Sequence, residues 1–124
     1  MSPLAWVAFV AAGAVGVTAR YMLDGAVLDR TDGAFPWGTF VVNVTGSFLL
    51  GFLTGLGLSH AFPKAPRLVL GTGFCGAYTT FSTFTFESVR LLEEGAANAA
   101  VRNAVGTLVA GSFAAALGLA VAAL

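Results

Sequence analysis

Long uncharged and apolar stretches dominate the pattern of this sequence. The four stretches without Asp, Glu, Lys or Arg are residues 1–19, 33–63, 68–86 and 103–124. A helix needs about 20 apolar residues to cross a hydrocarbon core of roughly 30 Å, and each stretch meets or nearly meets that length. The pattern therefore predicts an all-α integral membrane protein with four transmembrane helices. We place these helices near residues 4–23, 37–62, 68–92 and 99–123.

Composition supports a membrane protein over a soluble one. Hydrophobic residues make up 57% of the chain and charged residues 10%, against about 25% charged in an ordinary soluble domain. The predicted connections are too short for a folded domain, so residues 1–124 form one transmembrane domain. The first stretch has no basic start and no small-residue cleavage site, which favours a retained helix over a signal peptide. Six basic and six acidic residues cancel, so we expect no nucleic-acid partner.

Basic residues give only a weak orientation signal. Lys64 and Arg67 would lie on one side of the membrane, and Arg30, Arg90 and Arg102 on the other. The positive-inside rule compares such counts, and Arg20 adds to the second group only if it leaves the first span. So small a bias allows insertion in both directions, and hence an antiparallel homodimer. One fixed orientation remains the alternative.

The second and third stretches each place polar groups inside a predicted membrane span, where burying them costs free energy. Asn43 is an amide inside an apolar run, and it must face protein or water because an unpaired amide costs several kcal/mol in hydrocarbon. It could hold the helices together or face a pathway. In the third stretch, glycines and threonines crowd residues 71–85 and disfavour a continuous helix. We predict a break near residues 76–80, whose freed carbonyls could bind a cation in mid-membrane.

Aromatic and hydroxyl side chains follow the predicted break. Phe81 and Phe84 are spaced i, i+3, so they share one face of a helix. Ring edges are electropositive and hydroxyls donate hydrogen bonds, so Ser82 and Thr83 beside the rings could replace the water around a small anion. Ordinary packing of a phenylalanine stripe is the alternative.

The remaining polar residues have simpler interpretations. Arg20 either extends to the headgroups or attracts anions into a vestibule. Glu87 and Arg90 are spaced i, i+3, which favours a local pair or an interface contact. His60 stands alone near the end of the second span, where we expect a hydrogen bond or an interfacial position. Gly51 and Gly55 form a GxxxG pair that indicates close helix association without identifying the partner.

Several of these residues together resemble the Fluc family of fluoride channels, also called CrcB. The matching segments are residues 16–21 (GVTARY), Gly38 and Thr39 followed by Asn43 and Gly46, residues 71–76 (GTGFCG) and residues 79–84 (TTFSTF). They occur in order in three of the four predicted spans. The TTFSTF run is the specific element, whereas the fourth span matches poorly. The chain has Ala77 where the family often has a second glycine.

The resemblance implies a fluoride channel of the cell (inner or plasma) membrane that works as a dual-topology homodimer. It also implies a structural sodium ion at the third-helix break, bound by the backbone carbonyls of Gly76 and Thr79. Arg20 matches the family's vestibule arginine. The positions implied for the fluoride pathway are Asn43, Phe81, Phe84, Ser82 and Thr83. Thr107 is the best candidate for the fourth helix, with Asn103 and Ser112 weaker.

Other functions are less compatible with the sequence. A small multidrug-type cation antiporter would need an intramembrane carboxylate, and the first two spans contain none. A hydrolase would need a nucleophile beside a base, but Ser47 and His60 are three to four helical turns apart on one helix. We expect no enzyme activity and no catalytic residues. A purely structural subunit would not explain the hydroxyl-rich third stretch.

Overall fold

The computed structural model describes residues 1–124 and is all-helical, as predicted. It contains six α-helices and one π-helical segment. In chain order the α-helices are α1 (Pro3–Leu28), α2 (Trp37–Ser59), α3 (Lys64–Leu68), α4 (Gly76–Tyr78), α5 (Phe81–Glu93) and α6 (Ala97–Ala122), and the π-helical segment is Val69–Cys75.

Local sequence explains where α1 begins and how the chain turns between α5 and α6. Ser2 precedes α1, and its side chain accepts a hydrogen bond from the Ala5 backbone N–H at 3.1 Å, while Pro3 occupies the first helical position. Both are standard start signals. Gly95 has a φ of 80° between α5 and α6, a conformation that favours glycine at the end of a helix.

Three helices, α1, α2 and α6, are long and apolar enough to cross a membrane. Their bounds lie close to the predicted ones, except that α1 continues five residues past the predicted end at residue 23. The third predicted helix, residues 68–92, is instead spread over shorter segments that start at Lys64. Between α4 and α5, Thr79 and Thr80 have extended backbone, with ψ values of 160° and 121°.

Glycines bring α2 and α6 into direct backbone contact. A Cβ on Gly51 would collide with the carbonyl oxygen of Ala115, and one on Gly118 would collide with the carbonyl oxygen of Phe48. The GxxxG glycines thus find their partner within the same chain, because Gly55 packs against Ala122 of α6 in the same way. Such close approach maximises dispersion contacts where lipid supplies no hydrophobic drive.

The π-helical segment packs against α1 through two further glycines. A Cβ on Gly16 would lie 2.5 Å from the carbonyl oxygen of Phe74, and one on Gly73 would lie 3.0 Å from that of Phe9. The outer surface is apolar: the side chains of Leu4, Leu108 and Phe113 are 79%, 69% and 74% exposed. Exposed apolar surface of this extent suits contact with lipid.

The two ends of the helix bundle differ in charge. At one end, His60 Nε2 lies 2.7 Å from the Ala122 carbonyl oxygen, so the ends of α2 and α6 meet beside the start of α3. This end, the basic end, carries Lys64 and Arg67 and no carboxylate side chain. The acidic end, where α1 and α5 finish, carries the other four arginines and all six carboxylates of the chain.

Replacing Gly51 with Val should destabilise the bundle, because the new side chain meets backbone that cannot move without separating α2 from α6. We expect a loss of about 1–3 kcal/mol, measured as a lower midpoint of thermal unfolding in detergent. Gly25→Ala is the control, since a Cβ at Gly25 meets nothing within 4 Å. Equal midpoints for Gly51→Val and wild type would contradict this packing.

Candidate functional site

The side chain of Asn43 pairs with both backbone polar groups of Thr80. Its Nδ2 donates to the Thr80 carbonyl oxygen at 2.9 Å, and its Oδ1 accepts from the Thr80 N–H at 2.8 Å. Thr80 is 9% exposed, so its backbone N–H and carbonyl have little access to solvent. Each of these groups would cost about 1–3 kcal/mol of stability if it were left unpaired. Asn43 therefore fixes the extended residues between α4 and α5 onto α2.

Thr80 also caps α5 with its hydroxyl group. Its Oγ1 accepts from the Thr83 N–H at 3.2 Å and donates to Thr83 Oγ1 at 3.1 Å. Ser82 Oγ lies farther away, 3.4 Å from the same oxygen. Since Thr83 accepts this bond, it retains its own hydroxyl hydrogen for another partner.

Because Asn43 and the Thr80 hydroxyl accept these N–H groups, two backbone carbonyls lose the donors that they would have in a continuous helix. In an α-helix the N–H of residue i+4 bonds the carbonyl of residue i. The Thr80 N–H, the regular donor to Gly76, goes to Asn43, and the Thr83 N–H, the regular donor to Thr79, goes to the Thr80 hydroxyl. The carbonyls of Gly76 and Thr79 are therefore left for another partner.

One open groove of about 540 Å³ brings most of the proposed site residues together. Among its lining residues are six of the nine positions identified from the sequence: Asn43, Gly76, Thr79, Phe81, Phe84 and Thr107. We call this cavity the main groove. It gathers residues from α2, the α4–α5 region and α6, which are distant in sequence.

A second, smaller cavity of about 250 Å³ contains two more of those positions, Arg20 and Thr83. Thr80 lines both cavities, so it stands between them. Ser82, the ninth position, is exposed and lines neither cavity.

The two phenylalanines present their rings to the main groove side by side. Their centroids are 5.9 Å apart and their planes are inclined by 43°. Phe81 is 77% exposed, whereas Phe84 is partly buried. Neither ring is enclosed by its own chain, which distinguishes them from core phenylalanines.

The structure corrects one pair proposed from the sequence and confirms another contact. Glu87 does not bond Arg90 but accepts a hydrogen bond from Thr39 of α2 at 2.5 Å. Arg90 instead pairs with Glu94 at 2.9 Å, because that spacing also places the two side chains on one helix face. His60 makes the expected hydrogen bond, to the end of α6.

Two residues important to the site were not singled out from the sequence. Threonine is a preferred N-cap residue, a signal that could have identified Thr80 as the cap of α5. Tyr78, by contrast, gave no signal: its hydroxyl bonds Thr45 Oγ1 at 2.8 Å, and its ring stacks on Phe74 with centroids 5.5 Å apart. Both contacts brace α4 against its neighbours.

A buried polar chain connects α5 to the groove side of α6. Asn103, fully buried, donates to Ser88 Oγ at 2.9 Å and accepts weakly from Thr107 Oγ1 at 3.4 Å. Ser88 in turn donates to the Phe84 carbonyl oxygen. Asn103 does not itself line the main groove, but its bond to Thr107 orients a side chain that does.

Backbone carbonyls are the groups at this site that could hold a cation. No cluster of three or more His, Cys, Asp or Glu side chains occurs in the chain, so a carboxylate-based calcium site has no ligands here. The carbonyls of Gly76 and Thr79 are the candidates, since their regular donors are engaged elsewhere and both residues line the main groove.

The sequence is similar to those of known proteins over nearly its whole length. Residues 7–119 match the family described as "CrcB-like protein, Camphor Resistance (CrcB)". The chain is 47% identical to "Fluoride-specific ion channel FluC 1" of Leifsonia xyli subsp. xyli, covering 96% of this chain and 87% of that protein. It is 46% identical to a protein of the same name from Streptomyces avermitilis, covering 92% of each. A third such protein, from Symbiobacterium thermophilum, is 48% identical, covering 94% of this chain and 96% of that protein.

Replacing Asn43 with Ala should destabilise the region between α4 and α5, because both backbone groups of Thr80 lose their partners. We expect a loss of about 2–5 kcal/mol, seen as a lower thermal midpoint in detergent. Asn98→Ala is the matched control, since Asn98 is exposed at the start of α6. Similar midpoints for the two variants would contradict the pairing.

Proposed function

This chain belongs to the CrcB family, and on that basis we propose that it is a fluoride-selective channel of the cell membrane. It is a multi-pass membrane protein. The observation that carries the proposal is the main groove, where an amide, two phenyl rings and hydroxyl groups from different helices converge. Conduction would be passive, so the chain needs no catalytic residue and no energy-coupling site.

Fluoride would exchange its water for donors along the groove. Asn43 uses one Nδ2 hydrogen for Thr80 and keeps the second for an anion. Thr83, which lines the second cavity, and the exposed Ser82 would supply hydroxyl hydrogens after the break. Thr107 of α6 lines the main groove and would supply one only by releasing its 3.4 Å bond to Asn103. The rings of Phe81 and Phe84, which line the main groove, would offer their electropositive edges to the anion. Larger halides would be under-coordinated once a second copy covers the groove.

Entry would be favoured by Arg20, which lines the second cavity beside Thr83. Its guanidinium attracts anions, although the Asp24 carboxylate lines the same cavity, and Thr80 stands between this cavity and the main groove. Fluoride accumulates in cells because hydrogen fluoride enters at low pH and dissociates inside. A membrane potential that is negative inside favours anion exit by about 2.3 kcal/mol per 100 mV, so a channel is sufficient to protect the cell from fluoride toxicity.

The working unit in this proposal is an antiparallel homodimer with both topologies. The charge of the chain supports it, since the basic end has a net side-chain charge of +2 and the acidic end one of −2. An antiparallel pair places one end of each kind on every membrane face and so balances the charge. The open main groove and the exposed ring of Phe81 are then covered by the second copy.

A structural sodium ion belongs to the same proposal. The α4–α5 segment would form the break of a third membrane-crossing unit, and the carbonyls of Gly76 and Thr79 would hold the ion. In an antiparallel dimer the two-fold axis brings both pairs of carbonyls together and gives four oxygen ligands. The ion would supply a positive partner to carbonyl groups that lack water.

A cation antiporter of the small multidrug type has less support. It would need a carboxylate facing the pathway, and Glu87, the carboxylate nearest to the site, is bonded to Thr39 and does not line the main groove.

Proteoliposomes containing the purified protein should release fluoride faster than empty vesicles, as measured with a fluoride electrode. Phe81→Ile and Phe84→Ile remove the ring edges, and a barrier increase of about 1.4 kcal/mol would lower the rate about tenfold. Leu4→Ile, on the lipid-exposed surface, should leave the rate unchanged. Absence of wild-type release would overturn the channel, whereas full release by both Phe variants would overturn only the ring pathway.

Exhaustive replacement of sodium by N-methylglucamine should lower the fluoride release rate or the thermal stability of the dimer, because the carbonyls of Gly76 and Thr79 would lose their partner. Replacing fluoride by chloride in parallel samples should leave the sodium effect on stability unchanged. If release and stability are both the same without sodium, the cation site is wrong while the fluoride pathway stands.

A further inference from the structure

The Arg67 side chain lies flat against α2 at the basic end of the bundle. Its guanidinium occupies the space where a Cβ on Gly57 would be, and the residue is partly buried. Glycine at position 57 is therefore what allows the charged group to approach the helix so closely. The guanidinium is held at a defined place instead of extending freely into solvent.

This guanidinium has no anionic partner in the chain. All six carboxylate side chains lie at the acidic end, and the one ion pair of the structure joins Arg90 to Glu94. A partly buried charge without a counterion attracts anions from its surroundings.

Arg67 lines a cavity that adjoins the main groove. This cavity measures about 360 Å³, and three of its lining residues, Leu50, Gly71 and Thr72, also line the main groove. Thr72 is exposed there, and its hydroxyl makes no hydrogen bond within the chain, unlike that of Thr54, which donates to the Leu50 carbonyl. A positive charge and a free hydroxyl thus border one route out of the groove.

The carboxyl ends of two helices make the basic end unfavourable for an anion unless a positive charge such as Arg67 is present. The carboxyl ends of α2 and α6 meet at the basic end, and each carries a partial negative charge of about half an elementary charge. Without Arg67, these ends would repel an anion that approaches the cavity.

We propose that Arg67 and Thr72 form an anion-attracting mouth of the pathway at the basic end, opposite the cavity of Arg20. The ligand is a small inorganic anion, and fluoride in the channel that we propose above, on which this inference rests. Arg67 acts by raising the local anion concentration, so its effect depends on ionic strength.

The test compares initial fluoride release from proteoliposomes at ionic strengths of about 10 mM and 1 M, where the Debye length falls from roughly 30 Å to 3 Å. Potassium gluconate sets the ionic strength and sodium is kept constant. Arg67→Gln should lower the rate about threefold or more at low ionic strength, and the difference from wild type should disappear at high ionic strength. Arg67→Lys should retain most of the rate.

Gly57→Ala provides a second variant that changes the position of the guanidinium but no charge. Its methyl group would displace the flexible end of Arg67 and should also lower the rate at low ionic strength, so it serves equally if Arg67→Gln does not fold. Lys64→Gln removes a charge at the same end without changing the cavity lining and should lower the rate less than Arg67→Gln, whereas Gly25→Ala in α1 should match wild type.

Two results would overturn the mouth while wild-type release stands. One is an unchanged rate for Arg67→Gln and Gly57→Ala at low ionic strength. The other is a loss that is equal at both ionic strengths and accompanied by lower dimer stability, as expected if Arg67 pairs with a carboxylate of a second copy. No release by wild type would overturn the channel itself, and the mouth with it.

Discussion

Backbone groups released between α4 and α5 need partners, because Thr80 is only 9% exposed and little water can replace a lost helical hydrogen bond there. Asn43 meets this need at Thr80 with one side chain that both donates and accepts. The pairing resembles one rung of a β-ladder placed between helices. It holds Phe81 and the following helix in position, so the geometry of the main groove depends on it.

The same pairing has consequences on both sides of Thr80. Toward α4, the Thr80 N–H bonds Asn43 and so does not bond the Gly76 carbonyl. The Thr83 N–H bonds the Thr80 hydroxyl and so does not bond the Thr79 carbonyl. Toward α5, the pairing leaves the Thr80 hydroxyl free to bond Thr83, which keeps its own hydroxyl hydrogen and lines the cavity of Arg20. Unpaired acceptors and available donors thus lie close together, which is the chemistry that a proposed cation site and a proposed anion path each require.

Glycines allow this arrangement by letting backbones approach. Gly46 of α2 packs directly against Tyr78 and Thr79, and a Cβ there would collide with Thr79. Gly16 brings α1 onto the π-helical segment from the other side. Side chains in these places would move α2 away from Thr80 and lengthen the bonds of Asn43. The small residues that stabilise the bundle therefore also determine the geometry of the site.

The sequence by itself determined the helical class, the positions of α1, α2 and α6, and six of the fourteen residues that line the main groove, because long apolar stretches and a specific motif depend only on local order. It did not determine the partners: a local pair with Arg90 or an interface contact was expected for Glu87, which instead accepts from Thr39, and Tyr78 was not identified as a site residue. Those contacts join residues far apart in the chain. Only tertiary packing, set by where glycines let helices meet, decides which distant side chains come within hydrogen-bonding distance.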